Sequence, residues 1–239
     1  VIILKTLNKK TAKQIAKKQL KMRNKLTSKQ YSRIKKVFLK LGRGVDETKE
    51  FISLLTYETF KKELIAVFKV GIKESVTETA KFLQTARGVN KKLIPVVRNK
   101  TLEQYSKQVV AEKVTNISDK TKKVINKIIT KGQAEGKNIK AIAKDIEKSV
   151  KNMSKDRALR IARTETAQTS TVTYHNGLEA AGFDKTWWHV GGGKTDRESH
   201  LACDGETIKA DEVFSCGLKH PHDPEADVGE IINCHCELV

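Results

Sequence analysis

The first 40 residues of the chain carry 14 lysine and arginine side chains and not one aspartate or glutamate. Such a segment repels itself, and it folds only if an apolar stripe gives it something to bury while the charges face water or a polyanion. Ile15, Leu20, Met22, Leu26, Ile34, Val37 and Leu41 supply that stripe between Asn8 and Leu41, and Gly42 and Gly44 follow it. The spacing predicts a very basic amphipathic helix or helix pair, with Thr27 and Ser28 as an internal cap. Lys9, Lys10, Lys13, Lys17, Lys18, Lys21, Arg23 and Lys25 are the side chains expected to meet the phosphates of double-stranded DNA. Arginine forks and interleaved aromatic residues are scarce, so such contact would be non-specific. A lysine-rich face that is merely solvated is the other reading of the same charge.

The imbalance does not persist along the chain. Residues 1–160 hold 41 basic and 14 acidic side chains, a formal +27, whereas residues 161–239 hold 6 and 14, a formal −8. The chain therefore reads as a basic helical region, residues 1–134, followed by an acidic module, residues 135–239. With 239 residues, of which 38% are hydrophobic and only three are proline, it can bury one large core or two modest ones and suits a largely helical protein. No apolar run approaches the roughly 20 residues that cross a bilayer, so a soluble protein made in a cytoplasm, without membrane contact, is expected.

The helical expectation extends through the middle of the sequence. From Asp46 to Gly88 the residues Phe51, Leu54, Leu55, Phe60, Leu64, Phe68, Ile72, Val76 and Leu83 form a long stripe. Pro95 marks a break, and Thr101–Lys131 reads as a further helix that Asn116 or Ser118 interrupts. Asn138 then caps a short helix carrying Ile139, Ile142, Ile146 and Val150, and Ser154 caps another that runs to Gly182. Beyond Gly182 the pattern becomes strand-like: Trp187-Trp188-His189-Val190 as a strand, Gly191–Gly193 as a turn, Asp204-Gly205 with Thr207-Ile208 as a hairpin, and Ile231-Ile232 as a last short strand. The fold class is α+β, a mostly helical N-terminal region followed by a small module of one helix and short β-hairpins.

All four cysteines, Cys203, Cys216, Cys234 and Cys236, fall in the last 37 residues. Cys234 and Cys236 would face one side of an extended segment, and His200 and Cys203 would meet on one helical turn. His200, Cys203, Cys234 and Cys236 therefore form a candidate tetrahedral set for a structural zinc, which would pin a unit poor in apolar residues. Cys216, His220 and His222 are alternative ligands. Free thiols packed beside a histidine, or a local disulfide, are the competing readings.

Three segments carry a resemblance. They are Arg160-Ile161-Ala162-Arg163-Thr164-Glu165-Thr166, then Ala181-Gly182-Phe183-Asp184-Lys185-Thr186-Trp187, and a tail with Arg197-Glu198-Ser199-His200, Asp204-Gly205 and Ile232-Asn233-Cys234-His235-Cys236. In order and spacing they are similar to the phage Mu F-like head morphogenesis family of minor head, or minor capsid, proteins. An ARTE helix, an AG-x-K-x-W strand entry, an R-x-x-H turn, a DG hairpin and a terminal NCxC recur there. The resemblance covers residues 135–239 and makes Arg163, Glu165, Trp187 and Arg197 the motif residues. Two departures stand out: Gly193 occupies the place of a usual aspartate, with Asp196 displaced toward Arg197, and His235 stands where arginine is more common.

What the resemblance implies is a structural part of a tailed-phage head, made in the host cytoplasm and lodged inside the capsid. Its expected partners are the portal protein, the major capsid protein or scaffold, and packaged double-stranded DNA. No reaction is implied. Arg163 and Glu165 do not share a helical face, so each is expected to bond to the tail, Glu165 meeting Arg197 or backbone N–H groups near His200. A catalytic reading would make Glu165 and His200 an acid and a base, yet no nucleophile, phosphate-binding glycine loop or second carboxylate accompanies them. The alternatives are a zinc-dependent nuclease using His200, His220 and His222, and a nucleoid or toxin-delivery protein that borrows the module.

Overall fold

The computed structural model describes residues 7–43, 54–105, 107–190, 196–232 and 234–239. Gly191–Gly193, read above as a turn, lies outside the described residues. The elements in chain order are α1 (Lys9–Arg43), α2 (Leu54–Arg87), a 3₁₀ turn (Lys91–Leu93), α3 (Ile94–Gln104), α4 (Lys107–Ala134), α5 (Ile139–Ala181), β1 (Asp184–Trp188), α6 (Glu198–Ala202), β2 (Thr207–Lys209), α7 (Val228–Ile231) and β3 (Glu237–Leu238). The class is α+β, helical with a small antiparallel sheet near the C-terminus. Among the described residues, no helix is long and apolar enough to cross a membrane.

Several boundaries follow from local chemistry. Asn138 caps α5 by accepting a hydrogen bond from the Ala141 amide at 2.9 Å. Gly182 ends the same helix with a φ of 64°, and Gly88 follows α2 with a φ of 70°, conformations that a Cβ disfavours. Pro95 is the second residue of α3, where a missing amide costs nothing, so the break comes before it, at the 3₁₀ turn that Asn90 caps. Other expectations fail. Ser154 is no cap: it is buried inside one continuous α5 and donates to the Lys151 carbonyl at 2.8 Å. Thr27 and Ser28 lie within α1, and Asn116 and Ser118 within α4: Thr27 and Ser118 are buried, and the exposed Ser28 and Asn116 are carried along in helices whose apolar stripes continue past them. Thr101 belongs to α3, which ends at Gln104. Ile231 closes the short helix α7 instead of starting a strand.

The chain divides into two compact units. Unit 1 comprises residues 1–27, 71–104 and 163–239, and unit 2 comprises residues 28–70 and 105–162. In unit 2, Phe38 and Phe60 meet edge to face at 5.2 Å, and Arg157 lies over the Phe38 ring while donating to the Ile117 carbonyl at 3.0 Å. Unit 1 contains the sheet, in the order β2-β1-β3, with both outer strands antiparallel to β1. Thr186 pairs with Thr207, and Trp187 pairs with Leu238. Its core gathers Leu83, Val97, Tyr174, Leu178, Trp187, Phe214, Cys234, Cys236 and Leu238. A smaller cluster seats Ala12, Ile15 and Ala16 of α1 against Val239, Phe82 and Trp188. The early helix and the final residues thus share one interior.

Gly177 lets α5 and α2 approach closely. A Cβ at this position would stand 2.4 Å from Leu83 Cδ1, and Leu83 is fully buried. Alanine gains about 1 kcal/mol of helix propensity, whereas overpacking a closed core costs about 1–3 kcal/mol. The expected outcome for Gly177→Ala is a net loss of up to about 2 kcal/mol, read as a lower urea midpoint at unchanged slope.

Candidate metal centre

Trp187 organises the site. It is fully buried on the central strand, with the His200 ring 5.2 Å away on one side and Phe214 at 5.3 Å, both edge to face. His200 is held on α6 with its ring fixed by that contact, and Cys234 and Cys236 approach from the tail. His200 Nδ1 lies 3.5 Å from Cys234 Sγ and 3.6 Å from Cys236 Sγ. All three side chains are buried, and their donor atoms lie within 4.8 Å of one another. Zinc bonds of about 2.0–2.1 Å to nitrogen and about 2.3 Å to sulfur, spread tetrahedrally, put the two donors about 3.5 Å apart. The residues therefore fit a metal, and the cluster can hold one.

The surroundings support this donor set. The Cys236 thiol donates to Cys234, which holds the Cys234 thiol well below the ordinary range and pushes Cys236 up, so one proton serves two sulfurs. Loss of that proton would give two thiolates facing one imidazole. His200 Nε2 lies 2.8 Å from Glu230 Oε2, the position from which a carboxylate orients a ligating histidine. His189 repeats the pattern on the other side of Cys236. Its Nδ1 is 3.5 Å from Cys236 Sγ and its Nε2 is 3.1 Å from Asp196 Oδ2. Asp196, the displaced carboxylate of the sequence comparison, thus has a place. His189 carried no such signal in the sequence beyond its position just before the cysteine-rich tail.

Cys203 does not join the cluster. It is the buried residue that caps the C-terminal end of α6, and its thiol faces the loop after β2, 3.4 Å from Ser215 Oγ and in side-chain contact with Cys216. The i, i+3 pairing expected of His200 and Cys203 does not form because α6 ends at Ala202: Cys203 is the C-cap residue, and its thiol is engaged by Ser215 and Cys216 instead of the tail. His220 lies elsewhere in unit 1. Its ring stands 4.9 Å from that of His175 in a polar cleft of about 280 Å³, and burial pushes its pKa down to about 4. The buried Lys185 borders the same cleft and donates to the carbonyls of Ala210 and Lys219, each at 2.8 Å, so this motif lysine stitches the loop after β2 to β1.

His222 and Arg23 form the other wall. His222 adopts a left-handed φ of 59°, rare for a residue with a Cβ, and its side chain interacts with the Cys234 thiol. Its Nε2 lies 3.2 Å from Arg23 Nη1, which also donates to the Cys236 carbonyl at 3.2 Å. Arg23 Nη2 meets Glu237 Oε1 at 2.9 Å, with the two side chains 3% and 0% exposed. Arg23 is therefore corrected from a DNA-facing residue to an interior one: on α1 it falls on the buried face with Ala12, Ile15, Ala16 and Gln19. Lys9, Lys10, Lys13, Lys17, Lys18, Lys21 and Lys25 are all exposed. Among the motif residues, Arg197 donates to the Ile232 carbonyl at 2.7 Å, and Arg163 acts electrostatically on His235 of the tail. The Glu165 carbonyl accepts from Thr169 at 2.9 Å.

The sheet, the buried tail and the cysteine–histidine cluster define a small α+β module with a candidate metal site. Residues 123–239 match the family described as Phage Mu protein F like protein, and this part of the chain belongs to the phage Mu F-like family. One relative, the NAD(+)--arginine ADP-ribosyltransferase EFV of Enterococcus faecalis (strain ATCC 700802 / V583), is 35% identical over 122 residues, 48% of this chain and 25% of the relative. The chain thus spans a quarter of that protein's length. No solved structure matches.

Removing one partner from a buried ion pair leaves the other charge stranded and costs about 3–5 kcal/mol, whereas replacing both with apolar groups is often neutral. Arg23→Ala is expected to destabilise the protein by that order in chemical denaturation, and the pair Arg23→Met with Glu237→Leu to recover most of the loss. Equal losses in the single and paired variants would show that the contact is not a coupled pair.

Proposed function

We propose that the chain is a structural minor head protein of a tailed bacteriophage, acting in head morphogenesis at the portal and inner shell. The observation that carries this reading is the match of residues 123–239 to the Mu F-like family. The acidic character of residues 161–239 suits docking on basic surfaces of the portal protein, the major capsid protein or a scaffold. The exposed lysines of α1 suit the packaged genome. From Lys9 to Lys25 they extend over about 24 Å of helix, and phosphate neutralisation along such a row needs no base readout. The place of action is the interior of the virion.

His200, Cys234 and Cys236 would hold a zinc ion, with His189, which touches Cys236 but stands outside the three-residue donor cluster, turning inward as fourth ligand. The ion would act as a structural cross-link between α6, the end of β1 and the tail. Four protein ligands leave no position for water or substrate, so the role is structural and not hydrolytic. The ADP-ribosyl transfer in the relative's name belongs to a protein of which the match covers 25%, and we assign the shared 122 residues to the common module.

Three measurements on the full chain test this reading. Exposed lysines release counterions from duplex DNA, so Lys13, Lys17 and Lys21 replaced together by glutamine should flatten the slope of log affinity against log salt by about 2.7. An unchanged slope would place the DNA-contacting charge elsewhere. Metal analysis of the purified chain should give one zinc per chain, lost in Cys234→Ser and weakened in His189→Ala. Nicking of plasmid DNA with magnesium, manganese or zinc that disappears in His200→Ala would instead favour a nuclease.

A further inference from the structure

The fold sorts the four cysteines into two pairs, and the second pair has no part in the metal centre. Cys203 sits at the C-terminal end of α6, buried. Cys216 lies in the loop after β2, half-buried, with its side chain against the Cys203 thiol. The two segments that carry them are clamped together. Glu206 accepts hydrogen bonds from the Ser215 amide at 3.0 Å and from Ser215 Oγ at 2.7 Å, while the Glu206 amide donates to the Cys203 carbonyl at 3.0 Å. On the other side of Cys216, Gly217 takes a left-handed φ of 81° and donates to the Phe214 carbonyl at 2.8 Å, closing a tight turn that presents the Cys216 side chain inward. Phe214 itself is anchored against Trp187.

We propose that Cys203 and Cys216 are an oxidisable dithiol that closes to an intramolecular disulfide when the protein meets a small-molecule disulfide. The half-buried Cys216 loses its proton to solvent, and its thiolate attacks one sulfur of the reagent, breaking that S–S bond and releasing one reagent thiolate. Cys203, deprotonated in turn, attacks the Cys216 sulfur of the mixed disulfide and releases the second reagent thiolate. Two electrons pass from the protein thiols to the reagent, which leaves as two thiols once the thiolates take up protons. Burial and the neighbouring Cys203 push the Cys216 thiol up to about 12, so closure is slow at neutral pH and accelerates as pH rises. A reducing cytoplasm keeps both thiols reduced. On the head-protein reading, the staple forms after the particle leaves the cell. The chemistry itself does not depend on that reading or on the metal.

The test uses the full chain with oxidised glutathione, followed by peptide mass mapping without reduction. The expected product joins the peptides containing Cys203 and Cys216, at a mass lower by two hydrogens, and Cys216→Ser or Cys203→Ser abolishes it. Unfolding should move to higher temperature on oxidation and return with dithiothreitol. A glutathione adduct on Cys216 that never resolves, a link from Cys203 to Cys234 or Cys236, or no loss of thiols would overturn the proposal. The wild-type map decides even if a serine variant folds poorly. Metal content is measured separately, so failure to bind zinc leaves this outcome readable.

Discussion

A charge carried by the first helix is neutralised by a charge two residues from the last. Glu237 is wholly buried, and burial outweighs the attraction of Arg23 enough to raise its pKa to about 7. A carboxylate in that position is tolerable only because a guanidinium fork reaches it while also satisfying the Cys236 carbonyl. Lysine, with one compact charge, could not span both acceptors in the same way. Strand β3 has only two residues, so its own ladder is too short to fix the tail. The placement of Cys236, and with it the geometry facing His200, rests on α1 as much as on the sheet.

This arrangement explains why the basic row and the cysteine cluster belong to one compact unit. Alternation along α1 sends Ala12, Ile15, Ala16, Gln19 and Arg23 inward and leaves the lysines out. The same helix is thereby part of the core on one face and a polycation on the other. A row of lysines on a helix that was free to tumble would lose conformational entropy on meeting DNA; a row already seated against Val239, Phe82 and Trp188 has lost that freedom beforehand.

What was legible in the sequence follows from range. Helical periodicity, the Asn138 cap and the glycine stops at Gly88 and Gly182 depend on neighbours within a few residues, and they stand in the structure. The strand at Trp187-Trp188 and the grouping of His200 with Cys234 and Cys236 were also visible, the latter because residue types with one chemistry were crowded into a short stretch. What spacing could not show was direction. Cys203 is three residues from His200 and faces away, and Arg23 sits among lysines yet points inward, because each depends on a partner 13 or 214 positions distant. Ser154 failed for the related reason that a polar residue can be buried in a helix by satisfying itself on the preceding turn. The assembly of residues 1–27 and 71–104 with the C-terminal segment is likewise a tertiary fact that no linear reading contains.

The separation of the cysteines has a chemical logic. Four thiols placed together around one ion would be open to exchange with one another, and oxidation of any two would destroy the site. Here the pair with a depressed thiol, Cys234 beside Cys236, faces imidazole nitrogens, and the pair with a raised thiol, Cys203 beside Cys216, faces a serine and a glutamate-clamped turn. Thiolate character would suit the first pair to a metal, whereas burial of Cys216 makes that thiol slow to react. Trp187 stands in the same core as both pairs, touching His200 on one side and Phe214 on the other. One aromatic side chain thus touches both the histidine that faces the first pair and the phenylalanine of the turn that carries Cys216.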